Sequence, residues 1–117
     1  MKVSSAERTI VDAATHPEWV GGGRQLAAVF VAYSERRDAN PSTLLAELEH
    51  YGNGAAAKRI GFLAEQLWPD AAVLVERCAN LKTLGHSKFD PSVATRGNLV
   101  TRWGLWLNAR ISDATHT

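Results

Sequence analysis

Apolar residues recur at helical spacing in five consecutive segments, and this repeat constrains the fold more than any other feature of the chain. Positions i, i+3, i+4 and i+7 share one face of an α-helix, so an apolar stripe at this spacing marks a buried face. Clusters of glycine, proline and asparagine separate the segments, because these residues favour turns and helix ends. The pattern predicts helices over about 5–15, 24–37, 41–51, 55–67 and 70–81. Since the connections are short, consecutive helices are expected to pack as antiparallel or steeply crossed neighbours in a compact bundle.

Local motifs add detail to three of these helices. The stretch 4–7, Ser-Ser-Ala-Glu, has the form of a capping box, and Pro17 is expected to stop the first helix. Asn40 and Pro41 suit the N-cap and the first position of the third helix. Gly61 lies inside the fourth helix, where glycine costs about 1 kcal/mol in helix propensity. We therefore expect another helix or a side chain to lie close against Gly61.

The spacing of apolar residues changes after Leu84. Residues 85–98 are rich in Gly, Ser, Asp, Pro and Asn, which predicts a loop, and long ordered loops are often functional. Over about 101–111 apolar and polar residues alternate, which is typical of a half-buried strand. A lone strand leaves its backbone groups unpaired. Its partner is expected to be Lys2–Ser4, Leu81–Leu84, a preceding domain or another copy of the chain.

The expected fold is a single mainly α (α+β) domain over residues 1–117, with about five helices and a short C-terminal strand. One cysteine excludes an internal disulfide framework, and the four histidines show no helical metal-pair spacing. No Gly-x-Ser-x-Gly turn is present. The chain contains no run of roughly 18 apolar residues and begins with a polar segment. We therefore predict a cytoplasmic, non-enzymatic protein without a metal, a cofactor or a membrane segment.

Two local features can each be interpreted in two ways. Gly21-Gly22-Gly23-Arg24 opens a predicted helix, which is the geometry of an anion site, but a flexible turn is the preferred interpretation because the P-loop spacing is missing. Cys78 falls on an apolar helix stripe and is interpreted as a buried core thiol rather than a nucleophile.

Charge is distributed unevenly along the chain. Residues 1–76 carry seven basic and ten acidic side chains, a net charge of −3, whereas residues 77–110 carry six basic side chains and one acidic, a net charge of +5. Aromatic residues interleave with the basic ones, and Trp106 is predicted to lie on the polar face of the strand. Such a surface suits nucleic acid or an acidic protein, although Trp106 would also fit a purely structural role across the sheet. The predicted contact residues are Lys82, Lys88, Arg96, Arg102, Trp106 and Arg110.

Three blocks share the order and spacing of one family. The first, residues 4–12, reads Ser-Ser-Ala-Glu-Arg-Thr-Ile-Val-Asp and resembles a Ser-Pro-Glu-Arg-Thr-x-x-Asp motif. The second, residues 58–65, reads Lys-Arg-Ile-Gly-Phe-Leu-Ala-Glu and resembles an Arg-x-Gly-x-Leu-x-Glu helix. The third comprises Phe-Asp-Pro-Ser at 89–92, Arg-Gly at 96–97 and Arg-Trp-Gly-Leu-Trp-Leu-Asn at 102–108. Together these blocks resemble the AbiEi-like antitoxins of type IV toxin–antitoxin systems, which are often described as transcriptional regulators of viral defence.

The resemblance implies a role that composition does not show. It covers the C-terminal domain of such proteins, which acts as an antitoxin in abortive infection against a nucleotidyltransferase-like toxin. The winged helix-turn-helix that binds operator DNA in the family is absent here, so we expect an excised domain or a shortened gene product that does not bind DNA in the usual manner. The expected partner is the toxin or its nucleic-acid target, and the alternative function is a nucleic-acid-binding regulatory module. Structural roles are expected for the motif positions Glu7, Arg8, Thr9, Asp12, Arg59, Gly61, Glu65, Asp90 and Trp103.

Overall fold

Five α-helices are followed by three short β-strands in the computed structural model, which describes residues 6–82 and 85–109. The predicted mainly α fold with a short β element is confirmed. The helices are α1 (Ala6–Thr15), α2 (Gly23–Ser34), α3 (Pro41–Tyr51), α4 (Gly54–Leu67) and α5 (Ala72–Leu81). The strands are β1 (Ser87–Lys88), β2 (Asn98–Val100) and β3 (Leu105–Leu107).

Local side-chain chemistry accounts for several helix ends. The Asn40 side chain accepts hydrogen bonds from the backbone N–H of Ser42 at 2.9 Å and of Thr43 at 3.3 Å, which confirms it as the N-cap of α3. Pro41 follows it at the first helical position. The proposed capping box of α1 falls partly on residues 4–5, outside the described residues.

Two predicted helix bounds are wrong by a few residues. The second helix ends at Ser34 rather than at 37, because the Ser34 hydroxyl donates to the Val31 carbonyl at 2.9 Å and a turn follows. The fifth helix begins at Ala72 rather than at 70. Pro17 ends α1 as expected, and Pro17–Val20 form a single 3₁₀ turn between α1 and α2.

The core is organised around α4. Every residue from Ala56 to Ala64 is buried, so this helix is covered on all sides. Helices α1, α2 and α5 pack against it, and α3 packs against α1 and α5. Helix α4 therefore lies at the centre of the fold and carries the side chains that hold the sheet in position.

The strands form one sheet in the order β1-β3-β2. β1 is parallel to β3, and β2 is antiparallel to it. Both neighbours of β3 therefore come from or adjoin the stretch 85–98, which was predicted to be a loop. Of the proposed strand partners, Lys2–Ser4 and residues 83–84 lie outside the described residues, and Leu81 belongs to α5. The predicted strand 101–111 is also too long, since 101–104 form a turn and β3 covers only Leu105–Leu107.

Trp103 and Gly61 join the sheet to α4. The Trp103 side chain is fully buried, and its ring lies where a Cβ on Gly61 would be. The same hypothetical Cβ would lie 2.8 Å from the Cβ of Cys78 on α5. This contact confirms the expected close approach at Gly61, and it explains a glycine in the middle of a buried helix.

Candidate functional site

One face of the small sheet points away from the helices. Directly paired residues on neighbouring strands share a face, so the register places Lys88, Trp106 and Leu99 in one row across β1, β3 and β2. The other row, Ser87, Leu105 and Val100, belongs to the inner face, where Leu105 is fully buried. We call the surface formed by His86, Lys88, Arg96, Leu99 and Trp106 the outer sheet face.

Trp106 is at the centre of the outer sheet face and is held from two sides. The His86 ring meets it edge-on, with centroids 5.8 Å apart and an interplanar angle of 83°. The Arg96 guanidinium lies over the indole, with its Cζ 5.5 Å from the ring centroid. Trp106 itself is half-buried, so its ring is fixed in orientation while part of it meets solvent.

Asn108 fixes the loop that carries Arg96. Its Oδ1 accepts from the backbone N–H of Asp90 at 2.8 Å, and its Nδ2 donates to the carbonyls of Asp90 and Thr95, both at 2.9 Å. Three backbone groups of the loop are thus tied to one side chain next to β3. Thr95 immediately precedes Arg96, so Asn108 positions the guanidinium over Trp106.

Asp90 occupies the N-terminus of α2. Burial raises the pKa of its carboxyl, but hydrogen bonds from the Ser92 side chain and from the backbone N–H groups of Gly23 and Ser92, together with the charge of Arg59, outweigh burial and hold the pKa below its usual value. A Cβ on Gly22 would lie 2.6 Å from the Asp90 Oδ2. The anion-site geometry noted around residues 21–24 is therefore filled by a carboxylate of the chain itself.

Two buried cations of α4 anchor the outer sheet face from below. Arg59 donates through Nε and Nη2 to the Lys88 carbonyl at 3.1 and 2.8 Å, and through Nη1 to the Ala14 carbonyl at 2.8 Å. Lys58 donates to the Gly85 carbonyl at 3.0 Å and to the Ser87 hydroxyl at 3.1 Å. Burial lowers the pKa of both groups. Because their donors are bonded to the Ala14, Gly85 and Lys88 carbonyls and the Ser87 hydroxyl, both cations position the sheet and do not face a partner.

The structure brings together only part of the predicted contact set. Lys88, Arg96 and Trp106 share the outer sheet face. Arg102 instead pairs with Glu65 of α4, whose other oxygen accepts from the Trp103 indole N–H at 2.9 Å. Lys82 is the C-cap residue of α5 and belongs to none of the strands. Arg110 lies outside the described residues.

The sequence analysis missed two residues of this region, His86 and Leu99. His86 was considered only as a metal ligand, and Leu99 lay at the edge of the predicted loop. Asn108 falls in the third family block and on the same face of the predicted strand as Trp106, but its hydrogen bonds to the loop were not readable from the sequence. Strands of two or three residues show no periodicity, so their register was not readable from the chain.

The first-block residues connect helices. Tyr33 of α2 donates to the Glu7 carboxylate at 2.6 Å, and burial, the main cause, raises the pKa of Tyr33 to about 12. Arg8 bonds Asp12 at 3.2 Å and lies 3.6 Å from the ring centroid of Tyr51 on α3. These contacts tie α1 to both α2 and α3. Thr9 lines a shallow groove between α1 and α2 with a volume of about 560 Å³.

Neither of two grooves between helices holds a catalytic constellation of described residues. A second groove of about 530 Å³ lies between α4 and α5 beside Arg102, and its two carboxylates are Glu65, already bonded, and Glu76. Burial raises the pKa of the Cys78 thiol to about 12, and it lines neither groove. Among residues 6–82 and 85–109, no group of three His, Cys, Asp or Glu side chains is placed to hold a metal ion. No helix in the same ranges is long and apolar enough to cross a membrane.

Comparisons of the chain with family models, with curated proteins and with solved structures find no match.

Proposed function

We propose that this chain is a non-enzymatic antitoxin module of a type IV toxin–antitoxin system, counteracts a nucleotidyltransferase-like toxin in the cytoplasm, and binds through the outer sheet face. The observation that carries the proposal is the Trp106 ring flanked by Arg96 and Lys88 on the outer sheet face. A rigid aromatic beside cations is the composition typical of binding hot spots.

The charge pattern of the described surface supports this location. Several described arginines are paired with carboxylates, as in Arg36–Asp38 at 2.7 Å and Arg77–Glu49 at 2.8 Å. Arg96 instead lies over an indole, and the Lys88 ammonium donates to the Val93 carbonyl at 3.0 Å, which leaves its charge uncompensated. The outer sheet face therefore offers positive charge to a partner without first breaking an ion pair.

The roles of the family-motif residues also support the proposal. Arg59, Gly61, Glu65, Asp90 and Trp103 all serve to attach the sheet to α2 and α4. A motif set used in this way suits a module whose function depends on the position of its sheet. It leaves the exposed side chains of that sheet to make the functional contacts.

Co-expression tests the proposal directly. The toxin to use is the nucleotidyltransferase-like protein encoded beside the chain's own gene. Arg96→Glu is expected to abolish rescue of growth, because it reverses the charge over Trp106 without touching a carboxylate pair. Arg102→Glu is a poorer variant, since it would also place a second carboxylate against Glu65.

Arg37→Glu is the matched control. Arg37 is exposed beyond the C-terminal end of α2, and the 12 residues of that helix separate it by about 18 Å from the Asp90 end. It should rescue growth like the wild type. Full rescue by a folded Arg96→Glu variant, or the lack of such a gene beside this one, would overturn the proposal.

A further inference from the structure

We infer that the outer sheet face binds single-stranded nucleic acid, with an unpaired base stacked on the Trp106–Arg96 pair and the adjoining phosphates beside Arg96 and Lys88. This inference deepens the proposed function and depends on its assignment of the outer sheet face as the contact surface. It names the chemistry of the molecule that binds the outer sheet face, which the proposed function leaves open.

The outer sheet face is small and flat. Strands of two and three residues are about 7–10 Å long, and three strands about 4.8 Å apart give a flat patch about 10 Å across. A patch of this size accepts one or two bases. Its central residue, Trp106, is half-buried and packs against the His86 ring, so little side-chain freedom is lost when a base stacks.

The side chains of the outer sheet face suit both bases and phosphates. Single-stranded nucleic acids are bound by aromatic rings and guanidinium planes, on which bases stack, together with cations that follow the backbone. The outer sheet face combines both kinds of plane in one contact, Arg96 over Trp106. Lys88 lies beside Trp106 on the neighbouring strand and uses one of its three N–H donors on Val93. The other two remain for a phosphate.

The segment that forms the outer sheet face offers little negative charge to repel a phosphate. The only acidic residue in 85–109 is Asp90, and its side chain is buried against the start of α2. Phosphates at the outer sheet face therefore meet no repelling carboxylate from this segment. A duplex fits less well, because its bases are already stacked and paired and the patch carries no element that enters a groove.

The experiment is a fluorescence anisotropy titration of the whole chain into a labelled oligouridylate, at low and at high salt. We expect binding at low salt, weakened with a log–log slope of about −1.4 if two phosphates are neutralised. Trp106→Ala is expected to weaken binding about tenfold to a hundredfold, and Trp106→Phe much less, because phenylalanine keeps a stacking face. Arg96→Glu is expected to remove binding, while Arg37→Glu and Trp19→Ala change it little.

The variants guard against loss of folding. Trp106 is half-buried, so far-ultraviolet circular dichroism and the urea midpoint are measured for each variant; Arg96 is exposed and can be changed without disturbing the core. No binding at low salt, equal binding of wild type and Trp106→Ala, or equal competition by polyglutamate would each overturn the inference. A duplex of the same length that binds as tightly as the single strand would also overturn it.

The rescue assay separates this inference from the proposed function. If Arg96→Glu loses rescue but the wild type binds no oligouridylate, the single-strand inference fails and the antitoxin surface stands. If Arg96→Glu loses oligouridylate binding but still rescues growth, the nucleic-acid site stands and the antitoxin surface fails.

Discussion

Replacing Gly61 with alanine tests how the sheet is attached to α4. In an ordinary helix interior this change stabilises by about 1 kcal/mol, because alanine has the higher helix propensity. At Gly61 the new methyl group would overlap the Trp103 ring and lie 2.8 Å from the Cβ of Cys78. Helix propensity and packing therefore predict opposite signs for the change in the free energy of unfolding caused by Gly61→Ala.

The magnitudes decide between them. Inserting a methyl group into a tightly packed core costs about 1–3 kcal/mol. The Trp103 ring cannot move aside freely, since its indole N–H is bonded to Glu65 at 2.9 Å, and a hydrogen bond to a charged group contributes about 1.5–3 kcal/mol. Overlap and a weakened hydrogen bond together outweigh the propensity gain. We expect Gly61→Ala to lower the free energy of unfolding by about 1–3 kcal/mol.

Urea denaturation followed by circular dichroism measures this change. Trp103→Phe supplies the control, because it removes the two benzo-ring atoms, Cζ3 and Cη2, that the methyl group would overlap. In the Trp103→Phe background Gly61→Ala is expected to cost far less, or to stabilise. The reasoning would be refuted if Gly61→Ala raised the free energy of unfolding of the wild type. It would also be refuted if Gly61→Ala changed that free energy equally in the wild-type and Trp103→Phe backgrounds.

Three further predictions concern buried polar groups. Because the folded-state pKa of Asp90 is depressed, its charge stabilises the fold above the unfolded-state pKa of about 4, and this stabilisation is lost as the pH falls through the folded pKa. In urea denaturation, Asp90→Asn should therefore lose less stability than the wild type as the pH is lowered from neutral. Arg59→Met leaves the carbonyls of Ala14 and Lys88 without their donor and is expected to cost about 2–4 kcal/mol, of which Arg59→Lys recovers only part, as thermal or urea unfolding will show. With its pKa raised to about 12 by burial, Cys78 should stay unmodified by a thiol reagent near neutral pH until the chain is unfolded in urea.

The helices were readable from the sequence because each carries its own signal. Periodic apolar residues marked all five, and Asn40-Pro41 located the start of α3 to the residue. The glycine at 61 was even informative about tertiary structure, since a costly residue in a buried helix implies a close neighbour. These are local signals, contained within one or two turns of chain.

The sheet was readable only in part, because its information is not local. The alternation near the C-terminus revealed a strand, but its partners are two and three residues long and carry no periodicity of their own. The pairing of Arg102 with Glu65 joins positions 37 apart, so the charge pattern alone placed Arg102 on the wrong surface. Most of the predicted contact residues thus fall in the segment that forms the outer sheet face, but which of them share that face could be seen only from the strand register.

The indole N–H resonances of the four tryptophans test the central claim most directly. The account places Trp106 on the outer sheet face and Trp103 beneath it, fully buried and bonded to Glu65. On titration of ¹⁵N-labelled chain with oligouridylate, the Trp106 indole and the amides of 86–88 and 96–99 are expected to shift together, while the Trp103 indole stays in place. A Trp106 indole that does not move while other regions shift would contradict the assignment of this face.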